Sequence, residues 1–410
     1  MDQPTLSDYA SVVGADIIGE LTLLAAHAGN RSIKMVNSTA VGGGVAEMLH
    51  RMVPLLQELG LQVEWEVIEG NDRFFEVTKA FHNALQGNPQ PFSEQDFQDY
   101  LACNEENARK MTLDQDLVVI HDPQPAALIA WNPQRKNRWV WRCHIDMSAP
   151  NEQLWTFLRP YVEQYDGAIF SSARFSPVLS IPQYRFFPAI DPLADKNRDL
   201  DPSYVAGVFD KYGIPRDKPV VTQISRFDPW KDPKGVIQAF KMARKYVDCS
   251  LLLVGDKAAD DPESDRIVEE VREEAGGHPD IHILLFSPSI ATEINAFQRG
   301  SDVILQKSIR EGFALTVSEA LWKSRPVIGG AVGGIPSQII DGHTGVLVHS
   351  PEGASVAIRS LLQQPDYARR LGVNGHQRVK DEFLIVKNLK RYILLLLAMD
   401  HPGSQTIHLR

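Results

Sequence analysis

The residues of this chain best equipped for chemistry are two glutamates, Glu311 and Glu319. Seven residues separate them within the stretch Ser308-Ile309-Arg310-Glu311-Gly312-Phe313-Ala314-Leu315-Thr316-Val317-Ser318-Glu319. Gly312 lets the backbone approach a ligand closely, and the peptide N–H groups of Ala314, Leu315 and Thr316 open a predicted helix. Unclaimed N–H groups at a helix start suit a phosphate. A phosphate cradle with a carboxylate on either side matches a nucleotide-sugar, whose diphosphate needs donors and whose hydroxyls need acceptors. The plainer alternative is two solvated glutamates at a helix start, favoured by the helix dipole. It leaves Glu311 unexplained, because that residue precedes the helix beside a loop glycine and has no capping geometry to serve.

Three further groups of residues invite a role. Arg226 and Lys231 share the loop Arg226-Phe227-Asp228-Pro229-Trp230-Lys231. A guanidinium and an ammonium at the end of a strand can neutralise a diphosphate without a metal; solvated surface charges are the alternative. Lys234 lies close enough in sequence to compete with Lys231. The run Gly42-Gly43-Gly44 follows a strand that ends at Asn37. It offers a backbone-only surface to phosphate or sugar at Gly43 and Gly44, or else a tight turn. The G-x-G-x-x-G spacing of dinucleotide sites is absent. Lastly, His121-Asp122-Pro123-Gln124-Pro125 places polar residues just past a buried strand, and Arg142 and His144 occupy one face of an alternating segment, 139–146. Histidines in such places are structural or functional, and their position at the carboxyl ends of strands favours function.

These residues require a repeating strand, loop and helix frame. Strands are expected at 32–37, 60–68, 117–120, 139–146 and 166–170, the last taken as the final strand of the first domain. A βα rhythm restarts at 219–225, 250–256, 281–286, 302–306, 326–329 and 345–348. Gly333-Gly334-Ile335-Pro336 reads as a loop, and 352–398 as helical. Unbroken apolar runs such as Leu117-Val118-Val119-Ile120 indicate parallel strands buried on both faces. The prolines near 188–198 place a linker there. The expected domains are 1–190, with a C-terminal helix at about 388–410, and 191–387.

The stretch Glu311-Gly312-Phe313-Ala314-Leu315-Thr316-Val317-Ser318-Glu319-Ala320 resembles the signature of retaining family-four glycosyltransferases. V-N-S-T-A-V-G-G-G-V-A-E-M-L, F-H-N-A-L-Q-G-N, H-D-P-Q-P-A-A-L, W-R-C-H-I-D-M-S and S-R-F-D-P-W-K narrow the resemblance to the glycosyltransferring trehalose synthases and the related trehalose phosphorylases, over about 30–350. This likeness implies an α/β fold of the GT-B type, two Rossmann-like domains facing a deep cleft, with a C-terminal helix returning to the first domain. It implies that Arg226 and Lys231 bind phosphate, with Lys231 preferred over Lys234, and that the glycine loop faces the donor phosphates. It further implies that His144 contacts the donor sugar, Glu311 the transferred glucose and Glu319 the ribose. An acceptor glucose would rest near Asn37, His121, Asp122 and Gln124. The implied reaction forms trehalose from a nucleoside-diphosphate-glucose and free glucose, reversibly. The alternatives are phosphorolysis of trehalose and, in another class, a nucleotide-sugar epimerase or a sugar-nucleotide sensor.

Bulk properties agree with such a protein. The chain of 410 residues is long enough for two domains, and 43% apolar with 23% charged residues is ordinary for a globular chain. A net charge of −10 argues against nucleic acid or an anionic membrane as partner. Cys103, Cys143 and Cys249 are too scattered for a disulfide framework or zinc site. With no basic leader before an apolar core, and no apolar run longer than 393–399, the expected location is the cytoplasm. No cofactor or metal is expected to be required, although magnesium could stimulate. Sugars and the nucleotide-sugar are the expected partners, with a homodimer permitted.

Overall fold

The computed structural model describes residues 3–41, 43–256, 262–286 and 290–401. The chain divides into two compact units, Met1–Pro188 with Ile385–Arg410, and Ala189–Leu384.

The first unit is built on a parallel sheet of six strands: β1 (Ser32–Asn37), β2 (Gln62–Val67), β3 (Leu117–His121), β4 (Arg138–Arg142), β5 (Gly167–Phe170) and β6 (Gln183–Arg185). Their order is β2-β1-β3-β4-β5-β6. Each central strand is buried on both faces, which explains the continuous apolar runs. One face is packed by an aromatic-rich core that includes Trp139, Trp141, Phe81 and Tyr100. The strand order reverses between β1 and β3, so the loops leaving these two neighbours flank the crevice where such sheets bind ligands.

The second unit repeats the plan with β7 (Val220–Ile224), β8 (Ser250–Asp256), β9 (Ile281–Phe286), β10 (Val303–Gln306), β11 (Val327–Gly330) and β12 (Val346–Val348). The order is β12-β11-β10-β7-β8-β9, again all parallel. Here the reversal falls between β7 and β10. The β7 loop carries Arg226 and Lys231, and the β10 loop carries Glu311.

Several expectations are corrected. The segment 139–146 is not one alternating strand: β4 ends at Arg142, it is buried on both faces, and His144 lies beyond it. Alternation of residue types does not report a one-faced strand when neighbours cover both faces. β5 is not the last strand of its unit, because the short edge strand β6 follows; at three residues it is too brief to show a period. Ile335–Gln338 after the glycine pair is a helical turn rather than loop. The C-terminal tail is three helices, Pro351–Gln363, Pro365–Glu382 and Ile385–Met399. The last begins at Ile385 and packs on the helices Ala15–Ala28 and Gly43–Glu58 of the first unit. The part of the expected terminal helix at 402–410, and Gly42 of the glycine run, lie outside the described residues. No described helix is long and apolar enough to cross a membrane.

Candidate active site

In the second unit the switch-point loops meet directly. Lys231 Nζ lies 2.6 Å from Glu311 Oε2, and Ser308 Oγ donates to the same oxygen at 3.1 Å. Both side chains of this ion pair are largely withdrawn from water, at 17% and 9% exposure. The backbone N–H of Ile309 donates to the Trp230 carbonyl at 2.8 Å, tying the two loops together. Lys307 pairs with Asp232, whose left-handed conformation (φ 51°) starts the helix Pro233–Ala243. Lys234 turns away and pairs with Glu270 at 2.6 Å, so that of these two lysines it is Lys231 that meets Glu311. Arg226 is 70% exposed and lies 3.6 Å from Asp228. The two cations therefore have separate carboxylate partners.

Beyond Glu311 the chain turns into the helix Leu315–Trp322, with Ala314 at φ 64° as its N-cap and no side-chain cap. The first-turn N–H groups of a helix have no intrahelical acceptor, so those beginning at Leu315 and Thr316 are open to an anion. The turn is shaped from behind by glycines. A Cβ on Gly333 would come within 1.7 Å of the Glu311 carbonyl oxygen, and one on Gly334 within 2.5 Å of that of Gly312. Gly334 N–H also holds the Gly312 carbonyl at 2.7 Å. Thr316 Oγ1 donates to Gln306 Oε1 at 3.0 Å, locking the first helical turn to β10. Glu319 lies on the helix and is buried, with Gln298 Nε2 3.5 Å from its Oε2.

In the first unit, β1 delivers Asn37 and β3 delivers His121 to neighbouring strand ends. Asn37 is buried; its Oδ1 accepts from Trp65 Nε1 at 2.8 Å and its Nδ2 donates to the Thr39 carbonyl at 2.7 Å. Gly43 opens the helix Gly43–Glu58 and Gly44 is exposed in its first turn. His121 Nδ1 and His144 Nε2 are 2.9 Å apart with their rings stacked. Asp122, in the left-handed region at φ 65°, accepts the backbone N–H of His144 at 2.8 Å, which seats His144 beside His121. Burial pushes the Asp122 carboxyl up to about 7, against the opposing pull of the His144 N–H and Arg142. Burial lowers His121 to about 3 and takes His144 well below the usual histidine range, with Arg142 adding to both. The two imidazoles are thus neutral and share one N–H···N bond. Arg142 is fully buried and donates to the Phe186 carbonyl at 2.9 Å. Gln124 Oε1 is buried without a hydrogen-bond partner among the described residues.

Sequence reasoning missed the loop-to-loop ties at Trp230, Lys307 and Asp232, and the side chains beneath Glu319, namely Gln298, Lys323 and Asn197. A strand order of 3-2-1-4-5-6 assumed for the second unit would have made β7 and β10 neighbours and so pointed to the Lys231–Glu311 pair.

Comparison with known proteins follows the same division. Residues 35–177 match the family model "Trehalose synthase, N-terminal domain", and 208–378 match "Glycosyl transferases group 1". The trehalose synthase of Thermococcus litoralis is 44% identical over 402 residues, which is 95% of this chain and 96% of that one. The chain belongs to the trehalose synthase family. It is a glycosyltransferase. A trehalose phosphorylase from Pleurotus pulmonarius is more distant, 28% identical over 447 residues, covering 95% of this chain and 60% of that one. Among solved structures, the α,α-trehalose 6-phosphate synthase from Burkholderia multivorans superposes with a TM-score of 0.68 at 18% identity, over 92% of this chain and 100% of that one. The fold is accordingly GT-B, two parallel-sheet units of six strands each. The trehalose synthase match spans Asn37, Asp122 and His144, and the glycosyltransferase match spans Arg226, Lys231, Glu311 and Glu319.

Proposed function

We propose that the protein is a retaining glucosyltransferase that forms trehalose from a nucleoside-diphosphate-glucose and free glucose, reversibly. The observation that carries this reading is the Lys231–Glu311 pair beside an uncapped helix start, with Glu319 buried on the same helix. It combines a cation and backbone donors for a diphosphate with two carboxylates for hydroxyls. Arg226, Lys231, the N–H groups of Ala314, Leu315 and Thr316, and the Gly43–Gly44 backbone hold the diphosphate. Glu319 accepts from the ribose, Glu311 from the transferred glucose, and His144 contacts that glucose near its reacting carbon. Asn37, His121, Asp122 and Gln124 take the acceptor glucose, to whose hydroxyls the unpartnered Gln124 oxygen offers an acceptor.

In the reaction the bond from glucose C1 to the phosphate oxygen breaks. The acceptor 1-hydroxyl oxygen bonds to C1 from the same face, and its proton passes to the departing phosphate oxygen. Negative charge gathers on the leaving group, where preorganised donors stabilise it most. Free glucose rather than glucose 6-phosphate is the acceptor, because the loop His121-Asp122-Pro123-Gln124-Pro125 carries no Arg or Lys. Arg142, beneath it, is buried against the Phe186 carbonyl.

The test supplies the protein with trehalose and, separately, nucleoside diphosphate or inorganic phosphate. Nucleotide-glucose formed only with the nucleotide supports the proposal. Glucose 1-phosphate with an inert nucleotide would show a phosphorylase, and no cleavage with either would return the epimerase or sensor reading.

A further inference from the structure

Lys323 follows the last residue of the helix Leu315–Trp322, one turn beyond Glu319, and is 5% exposed. Its ammonium donates to the Glu319 carbonyl at 3.0 Å and to Asn197 Oδ1 at 3.1 Å. Asn197 is itself buried and fixed, with its Nδ2 on the Asp191 carbonyl at 2.9 Å and its own carbonyl accepting from Arg299 at 3.1 Å. The Glu319 carboxylate, 7% exposed, has no Lys or Arg within ion-pair distance among the described residues, and its hydrogen bond from Gln298 is long at 3.5 Å. Burying a carboxylate is costly unless nearby charge and hydrogen bonds compensate it.

We propose that Lys323 is a positioning residue for Glu319. Its buried ammonium supplies the counter-charge that keeps the carboxylate ready for the nucleotide, and donor binding weakens as that ammonium loses its proton.

The charges acting on Lys323 come from two elements. Glu319, on its own helix, favours the ammonium, and Arg299, on the helix Ala291–Gly300, opposes it. Burial dominates and lowers Lys323 to about 7. The ammonium is therefore present on the acid side of neutrality and lost on the alkaline side. Free nucleoside diphosphates would obscure this, because their terminal phosphate titrates in the same region. In a nucleoside-diphosphate-glucose that phosphate is esterified and stays fixed in charge.

The experiment measures calorimetric affinity for whichever of ADP-, UDP- and GDP-glucose binds tightest, between pH 6 and 8.5, for wild type, Lys323→Met and Lys323→Arg. Wild-type affinity is expected to fall about tenfold across this range, the equivalent of one pKa unit of coupling. Lys323→Met is expected to bind weakly with a flat profile. Lys323→Arg, whose charge is permanent, should hold the acid-side affinity throughout, a rescue that mere filling of space would not produce. The inference is overturned if Lys323→Met retains the wild-type profile, or if Lys323→Arg still loses affinity as wild type does; the Arg variant decides the matter should the Met variant fail to fold. The inference rests on Glu319 as the ribose partner, so Glu319→Ala is measured alongside. Wild-type affinity in Glu319→Ala would remove both claims, whereas weakened binding there with an unchanged Lys323→Met would remove only the role of Lys323.

Discussion

At Glu311 the carboxylate is held by an ammonium and a hydroxyl. Glu311→Gln keeps the shape and releases Lys231 from its partner. Turnover should fall by about tenfold or more while donor affinity changes little, the pattern for a contact used chiefly in the transition state. Glu319→Ala should do the opposite, weakening nucleotide binding by about 1.5–3 kcal/mol, as for a hydrogen bond to a charged group. Steady-state kinetics with calorimetry separates the two, and equal loss of affinity in both variants would erase the division of roles. Asp122 makes a different prediction. Its folded pKa is raised to about 7, so between its unfolded value near 4 and pH 7 the native state holds a proton that the unfolded chain releases. Its contribution to stability is full below about pH 4 and is lost as pH rises to 7. Asp122→Asn removes that loss while tolerating the left-handed backbone. The melting temperature of the variant relative to wild type should therefore climb between pH 4.5 and 7.5. His121 and His144 slope the other way, since their depressed values favour the native state as pH rises, but they are present in both proteins and cancel in the difference.

The turn proposed to bind phosphate depends on contact between elements that neither makes alone. Gly333 at φ 56° backs onto the Glu311 carbonyl, and Gly334 onto Gly312. Gly333→Ala must displace the 311–313 backbone or strain its own. We expect a loss of about 1–3 kcal/mol in stability together with a marked fall in donor affinity, read by thermal melting and calorimetry. Unchanged affinity would mean that the turn is not held from behind. The same interdependence explains what could be read in advance. The long apolar strands and the helix start at Leu315 were legible, because period and composition are local signals. The end of β4 was not, because Arg142 and His144 differ only in whether a neighbouring strand continues beside them. Helix Ile335–Gln338 was hidden by its glycines and proline, which mark turns and first helical positions alike.

For the molecule as a whole, the C-terminal helix Ile385–Met399 belongs to the first unit although the second unit intervenes in sequence. Leu396 is almost fully buried on it. Leu396→Ala should destabilise the first unit by about 2–5 kcal/mol, lowering the melting temperature without altering the residues around Glu311. A change confined to donor affinity would contradict that placement. Charge neutralisation makes a second prediction at this scale. If Lys231, Arg226 and the backbone donors hold the diphosphate as proposed, they supply the neutralisation that magnesium would otherwise give, and activity should survive exhaustive chelation. Abolition by chelator and recovery with magnesium would count against these residues as the diphosphate site, whereas mild stimulation would not, since released diphosphate binds magnesium in solution.

By itself the amino-acid sequence determined the kind of chemistry, the two βα-repeating halves and nearly all the residues offered as a site. Residue type, apolar period and glycine placement are properties of short stretches, and a nucleotide-sugar demands a recognisable set of donors and acceptors. Only the tertiary structure decided which of those residues act together. Lys231 rather than Lys234 meets Glu311 because β7 and β10 are neighbours at the reversal of strand order. His144 meets His121 because Asp122 turns the chain through the left-handed region and holds the His144 N–H. Lys323 and Asn197, unremarkable in sequence, become a buried pair beneath Glu319. Burial and pairing depend on neighbours distant along the chain, and it is desolvation by those neighbours that moves Asp122, His121 and Lys323 away from their ordinary ionisation.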